Sequence, residues 1–159
     1  MNAKEVLAGL GSLLIMGAML LIAVAIGAVF IFGSAWASSK LLPWFSIFTW
    51  IAFGLVVFIV LPLAIPRPTR GFASIALFIS SYVFGATLWM EGLLLTLFLW
   101  GVGAVFIGLF IAGVGVVPIA MLATLLKGMW GPLIELVLLT IMTFGSRVGA
   151  LSLAGSLES

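Results

Sequence analysis

A chain of 159 residues that is 65% hydrophobic and 6% charged has too little polar surface for a water-soluble fold, since ordinary soluble domains are about 25% charged. Its net charge of +2 comes from six scattered basic residues against four glutamates, so there is no basic run to bind nucleic acid. The absence of cysteine, histidine and aspartate excludes disulfides, thiol catalysis, Cys/His zinc sites, His- or Cys-ligated haem and Ser-His-Asp triads.

What remains is an all-α integral membrane protein: a single transmembrane domain over 1–159, built as a bundle of about five transmembrane helices. After Lys4 and Glu5, the first apolar run predicts a span over 6–37. That is longer than the roughly 20 residues that cross a hydrocarbon core, so this helix should tilt or project. It also exceeds the roughly 7–15-residue core of a secretory signal and is read as a retained span. Ser38, Ser39 and Lys40 read as the first loop. Pro43 and Trp44 open a second span, 44–65. Proline suits a first helical turn, tryptophan suits the headgroup level, and Pro62 and Pro66 end or kink the helix. Arg67-Pro68-Thr69-Arg70-Gly71 reads as a loop.

From Phe72 to Leu126 the only charge is Glu91. A straight helix of that length would measure roughly 80 Å against a core of about 30 Å, so the chain must turn. Trp89-Met90-Glu91-Gly92 offers an interfacial aromatic, an acid and a glycine together, which predicts spans over 72–90 and 93–115. An extension or interfacial helix follows over 117–126. Lys127 to Pro132 forms the next break, and 132–147 the last span. Four spans plus a re-entrant or interfacial segment is the alternative.

Arg67 and Arg70 are the strongest topology signals. With the N-terminus cytoplasmic, five spans place Lys4, Arg67, Arg70 and Lys127 inside and Lys40 and Arg147 outside, as basic residues prefer. The location this implies is a plasma or bacterial inner membrane.

Glu91 and Glu135 are the acids set in apolar sequence, and an ionisable group within a membrane marks a candidate ion or proton site. Arg147 is a candidate partner for Glu91 across the outer leaflet, or it snorkels to the interface. The plain alternatives are positional: Glu91 as a turn acid at the headgroup level, Glu135 as a first-turn acid after Pro132 favoured by the helix dipole. Ala104, Gly108 and Ala112 recur every four residues, a small-residue stripe that lets another helix approach closely. Gly113, Gly115 and Pro118 mark a helix break of the kind seen in transporters with broken helices.

These features predict a non-catalytic membrane protein that acts by helix packing, as a self-associating unit or an accessory subunit. Its partners would be the lipid bilayer and either further copies or other membrane subunits; no cofactor or metal is implied. The alternative is a channel or transporter subunit for protons, small ions or solutes, using Glu91, Glu135 and the Gly113–Pro118 break. An enzyme is not expected, since acid–base work would rest on glutamate alone.

Overall fold

The computed structural model describes residues 3–111, 113 and 115–158, with the backbone alone for 3–10, 157 and 158. The described chain is 94% helical and contains no strand. Helix α1 (Ala3–Leu55) is followed by a π-helical stretch (Val56–Val60) and the short α2 (Leu61–Leu63). A 3-10 turn (Arg67–Thr69) leads into α3 (Arg70–Phe110), then α4 (Val116–Leu126) and α5 (Trp130–Glu158). Three stretches are long and apolar enough to cross a membrane: Gly11–Leu63, Arg67–Phe110 and Trp130–Ser156. The 11 residues of α4 are too few to cross.

The chain divides into two units, Met1–Ser34 and Ala35–Ser159. The first is helical from Ala3 and presents Leu13, Leu14, Leu20 and Leu21 at its surface. The second holds the remainder of α1 together with α2 to α5. Its core gathers Val56, Val60, Ala73, Leu77, Phe84 and Ala150.

In the second unit polarity is inverted relative to a soluble fold. Phe58, Phe98 and Phe110 are each more than three-quarters exposed, whereas Thr49, Ser81, Thr87, Thr96, Thr124 and Thr143 are buried. Water would penalise that arrangement, and lipid favours it. The buried hydroxyls are satisfied locally: Ser81, Thr87, Thr124 and Thr143 each donate to a carbonyl three or four residues earlier.

Helices α3 and α5 run antiparallel in one register. Ser74 Oγ donates to Ala150 O at 2.7 Å. Added Cβ atoms on Gly149 and Gly85 would stand 3.4 Å from Leu77 Cδ1 and Thr143 Cγ2 respectively. Small residues thus bring the two helices together along their length.

Two expected turns are helix instead. At Ser38–Lys40 α1 continues without a break. Ser39 Oγ donates to Trp36 O at 2.8 Å, so this serine is satisfied within the helix, and Pro43 is accommodated inside it. At Trp89–Gly92 α3 also continues. Gly92 is buried there, and an added Cβ would meet Val117 Cα at 3.2 Å. This glycine admits a neighbouring backbone and does not form a turn.

The turning required between Phe72 and Leu126 occurs later. Gly101 (φ 79, ψ −173) interrupts α3 in a conformation essentially restricted to glycine. The chain then leaves the helix after Phe110 and re-enters at Val116. After α4, Met129 N donates to Thr124 O at 2.8 Å and Gly128 N to Leu125 O at 3.1 Å, with Gly128 at φ 68. This paired pattern around a left-handed glycine is a Schellman stop. Helix α5 extends past the expected 132–147 run, continuing to Glu158.

Candidate carboxyl site

Three helices of the second unit line an open cleft. Ser46, Thr49, Trp50 and Phe53 come from α1 at helical spacings of three and four residues. Glu135, Leu138, Leu139 and Met142 come from α5 at the same spacings, and Thr87 comes from α3. The cleft holds about 300 Å³, the lower end of the range for small-molecule sites. Its walls are mainly apolar, and its polar side chains are three hydroxyls, one carboxyl and the Trp50 indole. Thr49 and Thr87 hydroxyls bond each other across the helices at 2.7 Å. Trp50 and Phe53 pack edge-to-face, ring centroids 6.2 Å apart.

Glu91 lies one helical turn after Thr87, on the same face of α3. The antiparallel register of α3 and α5 brings its carboxyl against that of Glu135. Glu91 is half-buried and Glu135 exposed. Among the described residues neither carboxyl forms an ion pair with lysine or arginine. The side chains of Lys4, Glu5 and Glu158 lie outside the described residues.

Arg147 does not reach the carboxyls. Its guanidinium sits over the Tyr82 ring, 5.2 Å from the centroid. Both residues are exposed, and the aromatic face holds the cation. Lys127 is exposed at the end of α4 and forms no ion pair with Glu135 among the described residues. Arg67 is exposed in the 3-10 turn, and Arg70, the first residue of α3, donates from Nη2 to Ile65 O at 3.4 Å. From Arg70 to Glu91 the helix rises roughly 32 Å, about one hydrocarbon thickness.

The neighbouring face of α3 packs on α4. Gly108 is buried, and an added Cβ would stand 2.9 Å from Val116 N. Gly115 is tighter: its Cβ would stand 2.5 Å from Gly108 O. Ala104 is half-buried, and Ala112 lies outside the described residues. Gly113 (φ 70) sits in the break between the helices, Gly115 is the N-cap of α4, and Pro118 is in its first turn. Trp89 Nε1 donates to Gly113 O at 2.8 Å, and Thr96 Oγ1 to Val116 O at 2.9 Å. Both ends of the break are therefore anchored to α3.

Sequence reasoning selected the two acids but missed Ser46, Thr49, Trp50 and Phe53 on the facing helix. Their spacing is visible in the sequence. What is not visible is that this stripe faces Thr87 and Glu135. Comparison with protein-family models, with curated proteins and with solved structures finds no match, so the reading of this site rests on its own geometry.

Proposed function

We propose that this chain is a non-enzymatic, multi-spanning membrane protein that binds a proton or small cation at the Glu91–Glu135 pair, as a channel or transporter subunit. The meeting of these two carboxyls beside a cleft, with no basic partner among the described residues, carries this reading. Two carboxylates held against each other repel, and a shared proton or a bound cation offsets that cost. The hydroxyls of Ser46, Thr49 and Thr87 supply further oxygen atoms to the cleft. The cleft serves as the access route, since the Gly113–Pro118 break is braced by Trp89 and Thr96.

In this reading Arg67 and Arg70 mark the cytoplasmic face of a plasma or bacterial inner membrane, as basic loops do. The carboxyl pair then lies near the opposite face, about one core thickness away. The helices α1, α3 and α5 cross, and the α4 corner enters from that opposite face. A cytoplasmic N-terminus with five crossings requires turns at Ser38–Lys40 and at Trp89–Gly92, in place of the helix seen at both.

A second reading has its own support. The close backbone approach at Gly108 and Gly115 suits a protein that acts by packing, alone or as an accessory subunit, with copies of itself or with other membrane proteins. Cation and proton flux into liposomes carrying the purified protein separates the two. Flux that is lost in Glu91→Gln and in Glu135→Gln supports the carboxyl site. Absence of flux in the unmodified protein supports the packing reading.

A further inference from the structure

A second furrow of about 230 Å³ adjoins the carboxyl cleft, with Phe53 and Met142 lining both. It continues along α5 past Ile141, Gly145 and Gly149, and along the π-helical stretch at Val56 and Val57. Its lining is apolar apart from Ser146. A π-helical insertion widens a helix locally, and such insertions are frequent at functional sites. Gly145 leaves the α5 side open: an added Cβ there would meet nothing within 4 Å.

The two cavities together are polar and anionic at one end and apolar along the rest. From this geometry we infer that the combined groove binds a single-chain amphiphilic cation, an alkylammonium compound. Its head group lies at Glu135, which lines the cleft with the Glu91 carboxyl against it, and its chain lies between Phe53, Met142 and Gly145. Charge complementarity selects the head, because the carboxyls have no basic partner among the described residues. The apolar furrow selects the chain, since a small inorganic cation leaves it unfilled. The orientation also fits a bilayer. The carboxyls stand roughly 32 Å along α3 from Arg70, near one face, and the furrow runs from them back towards the Arg67–Arg70 end. A membrane amphiphile would thus keep its head near the interface and its chain in the core.

This inference rests on the carboxyl-site reading and adds the ligand class. The test uses the full chain in phosphatidylcholine nanodiscs with two spin-labelled probes of equal chain length, an alkyltrimethylammonium and the neutral alcohol. The immobilised spectral component reports a probe held by the protein. The cation is expected to show a larger immobilised fraction than the alcohol. Glu91→Gln/Glu135→Gln should reduce it to the alcohol's level by removing the charge, and Gly145→Leu should do the same by filling the furrow. Gly155→Leu, also in open space on α5, should leave it unchanged, and circular dichroism should show all variants helical. Equal immobilisation of both probes, or a Gly145→Leu signal matching that of the unmodified protein, overturns the amphiphile. If flux still depends on the carboxyls in that case, the small-cation site stands alone. If flux does not depend on them either, both readings fall.

Discussion

Two faces of the same stretch of α3 are built on opposite rules. Leu88, Gly92 and Thr96 form a buried stripe towards α4, where glycine lets backbone approach backbone and a hydroxyl bonds a carbonyl across the gap. Thr87 and Glu91 form the neighbouring stripe: Thr87 lines the open cleft shared with α1 and α5, and Glu91 meets the Glu135 carboxyl. The α4 face is closed and satisfied; the α5 face retains space and acid with no basic partner among the described residues. In lipid, close packing and satisfied hydrogen bonds hold helices together. A polar, under-packed face on the same helix is therefore a cost, of the kind that proteins retain for function.

That contrast makes the closed face the more sensitive to added volume. Gly115→Ala would force a methyl to within 2.5 Å of Gly108 O, and should lower unfolding free energy by about 1–3 kcal/mol in mixed micelles. Gly101→Ala should cost about 1–3 kcal/mol by a different route, through the backbone conformation alone. A change within error for both would mean that the corner is looser than described. Trp89→Phe removes the indole donor to Gly113 O and should cost about 1 kcal/mol in the same assay. The smallest effect belongs to the cleft. Thr49→Val breaks the hydroxyl pair with Thr87 and should cost about 0.6 kcal/mol, the average for such bonds within a bilayer. A Thr49→Val loss larger than that of Trp89→Phe would reverse the contrast between the faces.

Sequence legibility follows the range of the interaction concerned. Helical, membrane-length character is carried by composition, residue by residue, and is plain from the chain alone. Breaks at Arg67–Thr69 and at Gly128 are marked by local chemistry, prolines in one and a glycine that takes positive φ in the other. The glycines at 92 and 101 show where local reading stops. One permits the approach of Val117 and the other bends the backbone, and nothing near either distinguishes the two uses. Ser38–Lys40 reads as a loop because it is polar, yet Ser39 folds its hydroxyl back onto the helix. The Glu91–Glu135 meeting was least accessible, because it depends on the antiparallel register of α3 and α5, set by small residues such as Gly85 and Gly149. The same register holds Arg147 at Tyr82 and away from Glu91.

The central claim is that the carboxyl pair is retained for binding and not for stability. Cation and proton flux in liposomes, measured beside unfolding free energy, tests it most directly. The account predicts flux through the unmodified protein that falls about tenfold or more in both Glu91→Gln and Glu135→Gln, as loss of a charged partner implies. It also predicts stability that stays within about 0.5 kcal/mol of the original or rises. Flux that is absent from the unmodified protein, or equal in all three, would contradict it.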